Sequence, residues 1–541
     1  MRDPLADLRA ALDGAIADVA DGAAAKSAPS LERPRQAEHG DYATNAALLL
    51  AKQVGAPPRE VAERLSAALA AGLGEGLASA DVAGPGFLNL VLADRWYADA
   101  LDAVVAAGDR WGGGGADPVL KVNIEFASAN PTGPIHVGGT RNAAYGDALA
   151  RILAFHGHHV QREFYVNDYG TQVRRLGESI RARARAEEPP EDGYLGEYVQ
   201  DLAAEIEGAA HLPVDDVARL GVELMVAQSE RSLARFHVIF DRWFSERSLH
   251  DGEPSAVDRA FAMLAEQGRT FRDEGALWLR TTDFGDDKDR VIERGSGEHT
   301  YFASDIAYHQ EKRERGYDLL VDVWGADHHG YVQRMQAAFR ALGGAPGQLE
   351  LVIMQFVHLV EDGERGKMSK RSGEFVALDD LLDDIGVDAA RWFLLARSHD
   401  TTIDLDLDLA RSASSENPVY YVQYAHARIA SVLRKAGEER VAQALAGVGE
   451  GAGMHASERE LVRRLLDFPA EVQEAGERRA PHRIAAYALE TAQAFSAFYR
   501  DCQVVGSGRE TEDLRLRLCV AAKTTIARSL DLLGVAAPDE M

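Results

Sequence analysis

Cysteine is almost missing from this 541-residue chain: Cys502 and Cys519 are the only two, and neither has a CxxC partner. That excludes a disulfide framework and argues against a structural zinc site, so a reducing, cytoplasmic setting is expected. No run of about 18 apolar residues occurs, so no membrane-spanning helix is expected. A targeting leader is not expected either. The first residues, MRDPLADLRAALDGAIADV, form an amphipathic helical pattern with acids in its first turn, unlike an acid-poor presequence. Positive charge is also scarce. Lys and Arg number 59 against 86 Asp and Glu, a net charge of −27, whereas a nucleic-acid binder usually carries a basic footprint. Net charge is not local charge, however, and arginines gather within residues 174–185, 428–435, 463–464 and 478–483. Each cluster reads first as a solvated helix face and only second as a phosphate-binding patch.

The chain is too long for one ordinary core, so three or four domains are expected, and 46% hydrophobic residues can fill them. The organising stretch runs from Val122 to Leu153, VNIEFASANPTGPIHVGGTRNAAYGDALARIL. Val122, Ile124 and Phe126 alternate like a strand, and Ala143, Leu149, Ile152 and Leu153 recur at helical spacing beyond Gly138 and Gly139. Unpaired N–H groups at a glycine-lined helix mouth, with the positive end of the helix dipole, favour an anion such as phosphate. His136, just before that mouth, is placed to donate to a phosphate oxygen whose charge grows during a reaction. Tight packing of helix on sheet produces the same glycines without any ligand. A second stretch shifts the balance: Asp362 to Phe375 reads DGERGKMSKRSGEF, a polar loop carrying Lys367, Lys370 and Arg371.

HVGG at His136 to Gly139, followed by KMSKR at Lys367 to Arg371, resembles the paired HIGH and KMSKS signatures of class I aminoacyl-tRNA synthetases. The words EFASANPTGPIHVGG, NPVYYVQYAHAR and LDLLGVAAPDEM narrow the resemblance to the arginyl-tRNA synthetases, and it runs from the N-terminal region to the last residue. It implies an α/β protein: a Rossmann-like class I catalytic domain, a small N-terminal α/β domain and a C-terminal all-helical anticodon-binding bundle. The implied boundaries are 1–115 for the domain that contacts the tRNA elbow and 116–385 for the catalytic domain, with a mainly helical connective insertion at about 170–290. Residues 386–411 become a stem-contact connection and 412–541 the DALR-type anticodon domain, for which DAARWFLLAR is the name-giving word.

Periodicity adds detail. Helices are expected over the first residues, TNAALLLAKQV, REVAERLSAALAAGL and from Asp94, with FLNLVL a strand and Gly112 to Gly115 a turn. Long helices between about 170 and 244 interrupt a strand–helix alternation that resumes with strands near 276–280, 290–293 and 319–324. Beyond about Ser412 the strong segments are helical, with Val422, His426, Ile429 and Leu433 on one stripe and Ile484, Tyr487, Thr491, Phe495 and Phe498 on another. The glycine- and alanine-rich residues 441–454 read as a mobile connection.

The resemblance also implies an activity: ATP-dependent activation of L-arginine with release of pyrophosphate, then transfer to the 2′-OH of the 3′-terminal adenosine of tRNA(Arg), activation needing bound tRNA. Mg2+ is carried with ATP, no dedicated protein metal site is expected, and the chain is expected to be a monomer. His136, Lys367 and Lys370 are the implied catalytic residues, and Gly138, Gly139, Asp327, His328, Met368 and Ser369 join them around ATP. Lys370, the second lysine of its signature, takes the pyrophosphate. Gly139 departs from the pattern, since a histidine usually stands there and its phosphate donor is lost.

Arginine offers a planar five-donor fork that wants matched carboxylates. Glu125, Tyr301 and Asp305 are implied for the guanidinium, and Asn130 with Asp327 for the α-amino end. Phe87 and Asn89 are implied at the tRNA elbow; Tyr420, Tyr424 and Met541 at the anticodon, with Tyr421 a further aromatic there. Plain alternatives exist: Asp305 as an acid complementing a helix dipole, and Phe87 and the tyrosines as core. Two other functions compete, a class I relative of altered specificity and a degenerate synthetase kept for RNA binding.

Overall fold

Lys121–Glu125 (β1) is the central strand of a five-stranded parallel sheet, with His159–Val166 (β2), Arg242–Ser245 (β3), Leu319–Gly325 (β4) and Leu349–Met354 (β5) in the order β5-β4-β1-β2-β3. Val137–His156 (α1) follows β1, and Tyr301–Glu314 (α2) precedes β4. The computed structural model describes residues 2–21, 27–34, 36–366, 376–447 and 453–541. Val122, Asn123, Ile124 and Glu125 are all buried, as a parallel strand covered on both faces requires. The chain goes outward from β1 to β3 on one side and returns to β4 and β5 on the other. The order therefore reverses between β1 and β4, where open parallel sheets collect ligands at their carboxyl ends.

Two expectations for the middle of the chain need correction. Thr171–Ala184, Glu197–Glu205 and Val214–Arg235 are the interrupting helices and share a small core of their own around Leu176, Ile180, Val217 and Met225. The interruption ends early, because β3 pairs with β2 in the main sheet; four residues reading RWFS are too few to display alternation. Conversely, Ala276–Leu279 and Arg290–Glu293 pair with each other, and the former also with Thr270–Asp273, in a separate antiparallel sheet. They do not extend the parallel one.

Toward the N-terminus, Asp3 caps Pro4–Val19 by accepting from the Leu5 and Ala6 amides. This helix, with Ala46–Val54, Pro58–Leu73 and Asp94–Ala107, accompanies a three-stranded antiparallel sheet of Tyr42–Thr44, Phe87–Leu92 and Leu77–Ala83. The last strand escaped the sequence reading, since LASADVA shows no buried face in its alternation. Toward the C-terminus, Leu378–Leu395 (α3) is kinked at Gly386, φ 77°, and Pro418–Ala436 (α4) is followed by Glu438–Ala446, Ala456–Glu477, His482–Asp501 and Arg509–Leu532. Both apolar stripes are directed inward, with Val422, His426, Ile429, Ile484, Tyr487, Thr491, Phe495 and Phe498 buried. Residues 441–446 are helical rather than a loose connection, and 448–452 lie outside the described residues.

Most of the clustered arginines are taken by acids of the chain itself. Arg463 bridges to Asp41 at 2.8 Å, Arg464 to Glu490 at 2.7 Å, Arg479 to Glu350 at 2.7 Å, Arg483 to Glu471 at 2.9 Å and Arg175 to Asp192 at 3.1 Å. Two of these, Arg463–Asp41 and Arg479–Glu350, join the N-terminal or catalytic region to the helical one and so act as internal ties. Arg428 differs, lying over the rings of Tyr424 at 4.7 Å and Tyr499 at 5.2 Å. Arg391 on α3 is fully buried and donates to Asp147 of α1 at 2.7 Å and to the carbonyls of Leu533 at 2.6 Å and Phe236 at 2.9 Å.

Candidate active site

The loop after β1 ends at His136, which caps α1: its Nδ1 accepts from the Gly138 N–H at 3.0 Å. In the neutral ring the proton then sits on Nε2, the nitrogen able to donate to an anion. The same geometry corrects the expectation of unpaired amides at the helix mouth. Val137 N–H donates to the Val376 carbonyl at 3.0 Å and Gly139 N–H to the His136 carbonyl at 2.9 Å, because the histidine folds back and the chain beyond 375 runs alongside. Glycine is needed at 138, where a Cβ would lie 2.7 Å from the His136 ring. At Gly139 a Cβ would meet nothing within 4 Å, so the departure from HIGH leaves open space beside the mouth.

Lys367, Met368, Ser369 and Lys370 lie outside the described residues, but both flanks of their segment are held against α1. On the far side His136 pairs with Ala377 in an antiparallel bridge, and the Leu378 amide donates to the Ile135 carbonyl at 2.7 Å. On the near side buried Arg141 of α1 donates to the carbonyl of Gln355 at 2.9 Å, just before Val357–Glu361, which pairs with Glu364–Arg365. Arg141 also holds the carbonyls of Thr401 at 2.8 Å and Ser398 at 2.7 Å, and burial draws its pKa down to about 10.

A row of acids crosses the sheet beside this mouth. Glu125 of β1 has Asp322 of β4 and Glu163 of β2 as register partners, so three buried carboxylates point to one face. The helix α2 supplies Asp305, Tyr308, His309 and Lys312, spaced three, four and seven apart and therefore on one side. Lys312 Nζ donates to Glu125 Oε2 at 2.5 Å and Asp322 Oδ1 at 2.7 Å, while His309 Nε2 lies 2.8 Å from Asp322 Oδ2. Arg315 grips Glu163 through two bonds, and the Tyr308 hydroxyl donates to it at 2.8 Å. Glu125 Oε1 accepts from the Ser128 hydroxyl at 3.0 Å. Burial pushes the Glu125 carboxyl up in spite of Lys312. For Asp322 burial also opposes ionisation, but the Lys312 ammonium and His309 outweigh it and hold the carboxyl at about 2.

Asp305 accepts from the Tyr331 hydroxyl at 2.5 Å, and burial raises its carboxyl above the usual range. Tyr301, 68% exposed at the first turn of α2, shares with Phe302, Tyr331, Trp278 and Arg334 the lining of a cavity of about 550 Å³. Asp327 and His328 sit together, 3.3 Å apart, in the exposed turn after β4. Asn130 is exposed on the other side, accepting from Asn167 at 2.9 Å and donating to Gln172 at 2.7 Å. Glu125, Asp305 and the turn after β4 thus meet at the carboxyl ends of β1 and β4. Sequence reading missed Lys312, His309, Asp322, Arg141 and Glu246. Glu246, buried just after β3 beside Ser304, Tyr165 and Asp305, has its carboxyl lifted by burial to about 7. The one signal available for Lys312 was its place seven residues beyond Asp305.

The remaining singled-out residues lie elsewhere. Phe87, 42% exposed and so not core, lines a cavity of about 520 Å³ with Asn89, Gln36 and His39. Tyr420 and Tyr424 stack with ring centroids 6.2 Å apart on α4, whereas Tyr421 turns to the Ser496 hydroxyl at 3.0 Å. Met541 is exposed at the end of a tail held by His426 on the Pro538 carbonyl at 2.8 Å and by Lys523 on Asp539 at 2.7 Å.

Comparison with known families and structures agrees along the whole chain. Residues 6–92 match the arginyl tRNA synthetase N terminal domain, 111–192 and 195–430 the catalytic domain of class I (R) tRNA synthetases, and 422–541 the DALR anticodon binding domain. A putative arginyl-tRNA synthetase from Campylobacter jejuni is 34% identical, with a TM-score of 0.77 over 83% of this chain and 100% of that one. The Thermus thermophilus arginyl-tRNA synthetase, at 24% identity, shares the fold with a TM-score of 0.75 over 98% of this chain and all of its own. The Plasmodium falciparum arginyl-tRNA synthetase, at 17% identity, shares it with a TM-score of 0.72 over 100% of both chains. With its three matched domains in this order, the chain belongs to the class I arginyl-tRNA synthetases and is an arginine–tRNA ligase that uses ATP.

Proposed function

We propose that this ligase activates arginine in the cleft between the α1 mouth and the acid row, with His136 and Lys370 acting on the ATP phosphates. The supporting observation is the pairing of Val376 and Ala377 with Val137 and His136, which brings the described chain, six residues beyond Lys370, to the α1 mouth. Attack of the arginine carboxylate on the α-phosphate expels pyrophosphate and needs little covalent help from protein, so positioning and charge stabilisation dominate. His136 Nε2 donates to a phosphate oxygen. Lys370 follows the charge onto pyrophosphate, where a donor accelerates rather than merely binds, while Lys367, Met368 and Ser369 shape its loop. Magnesium is proposed to travel with the ATP phosphates, as is usual for that ion.

Glu125 and Asp305 receive the guanidinium, with Tyr301 closing over it; Asn130 and Asp327 hold the α-amino end, and Asp327 or His328 the ribose. Gly138 and Gly139 let the nucleotide approach the helix. On the tRNA side, Phe87 and Asn89 take an elbow base in their cavity, and Tyr420, Tyr424 and Met541 meet the anticodon loop, since unstacked RNA bases are read largely on aromatic platforms. The chain works as a cytoplasmic monomer with the domain limits given above, the insertion ending before β3, and transfer goes to the 2′-OH of the terminal adenosine.

ATP–pyrophosphate exchange tests the reading: it should depend on arginine and begin only when tRNA is added, and exchange driven by another amino acid would refute it. Lys370→Ala and His136→Ala should each lower charging by about 10²–10³-fold, the effect of removing one donor to developing charge. Unchanged charging in either removes that residue from the mechanism. Phe87→Ala should raise KM for tRNA on the order of tenfold, one stacking contact, and leave KM for arginine alone; steady-state charging against tRNA concentration reads this directly.

A further inference from the structure

Two of the three acids in the row pose an electrostatic problem that Glu163, matched by Arg315, does not. Glu125 and Asp322 are register partners on adjacent parallel strands, buried, and directed to the same face. Like charges so placed destabilise each other, and one of them tends to keep a proton. Lys312 is wedged between them. Its side chain is fully buried, its ammonium donates to both carboxylates, and its remaining side faces the Tyr308 ring at 4.4 Å. The ammonium is therefore engaged by the protein itself and has no exposed surface to offer a ligand. What it leaves is Glu125 Oε1, which among the described residues accepts from the Ser128 hydroxyl alone.

We propose that Lys312 is a positioning residue for arginine recognition: it pins Glu125 by Oε2, cancels one of the two adjoining negative charges, and so keeps an ionised Oε1 edge turned to the guanidinium. The inference rests on the assignment of Glu125 to arginine given under Proposed function. The groups that face Glu125 are Tyr308, His309 and Lys312 from α2, Asp322 from β4, and Glu163 and Tyr165 from β2 with Arg315 beyond them. Lys312 is the only cation among them bonded to Glu125. Burial already pushes the Glu125 carboxyl up, and without the ammonium it rises further, so that arginine binding weakens as pH falls.

The test is tRNA charging by the full chain with Lys312→Met, which keeps length and removes charge. At pH 7, kcat/KM for arginine should fall about fiftyfold, in the range for truncating one partner of a buried charged contact. It should recover about tenfold by pH 9 as the carboxyl ionises, while KM for ATP stays within about twofold of the parent. Lys312→Gln, which keeps a donor without the charge, should behave alike and serves if the methionine variant does not fold. Adding Lys312→Met to Glu125→Gln should cost less than about threefold more, since a residue acting through another shows no separate effect. A loss equal at every pH, an equal change in KM for ATP, or full multiplication in the double variant overturns the proposal while leaving Glu125 in place. If Glu125→Gln by itself leaves KM for arginine unchanged, the assignment of Glu125 fails and takes the proposal with it.

Discussion

Asp305→Asn should lower kcat/KM for arginine by about 10²–10³-fold, because the proposed guanidinium loses one of two charged partners in a buried site, a loss of about 2–5 kcal/mol. The substitution isolates charge from shape. Tyr331 can still donate to the amide oxygen, and His309 Nδ1 bonds the backbone carbonyl of Asp305 rather than its carboxylate. The fold and KM for ATP should therefore stay near the parent values. The pH dependence follows from the raised Asp305 carboxyl: arginine needs the ionised form, so binding should weaken as pH falls through that elevated value. In the asparagine variant this contribution disappears. Arginine titrations by steady-state charging between pH 6 and 9 check both effects. An unchanged KM for arginine would return Asp305 to the plain alternative of an acid near a helix start.

The second large effect concerns stability. Arg391→Met should destabilise the protein by about 3 kcal/mol, the lower end of the range for breaking a buried ion pair by removing one partner. The lower end applies because Asp147 keeps Arg151 at 2.7 Å, whereas the Leu533 and Phe236 carbonyls lose their donor. Arg391 packs so closely that a Cβ on Gly534 would lie 2.3 Å from its Nε. Since Arg391 joins α1, the end of the helical insertion and the chain terminus, the variant should unfold in more than one step. Thermal melts together with limited proteolysis near residue 533 read this; a melt within a degree of the parent would show that the contact carries no stability.

The elements most legible in the sequence were those whose local pattern and role coincide. The β1–His136–α1 unit is an alternating strand, a glycine turn and a long helix buried on nearly all sides, and its signature survives in spite of Gly139. The helical C-terminal stripes were equally plain, since Phe495 or Ile429 has to be inside whichever partner covers it. Short or two-faced strands were not legible. RWFS at β3 and LASADVA near residue 80 have too few residues, or too little contrast between faces, for periodicity to register, and only pairing with a neighbour makes them strands. The arginine clusters illustrate the opposite error. A run such as Arg463 and Arg464 reads first as a solvated helix face and second as a phosphate patch, and neither reading anticipates Asp41, far away in the chain, or Glu490 found against it.

Read as a string, the chain sufficed to indicate its family and its reaction, because those follow from words of fixed residue types at short spacings, and the same words are the ones proposed to carry the nucleotide chemistry. Three-dimensional packing alone decided which charges meet. Glu125 and Lys312 stand 187 residues apart in sequence and 2.5 Å apart in space, and sheet register, which no local pattern encodes, sets Asp322 beside them.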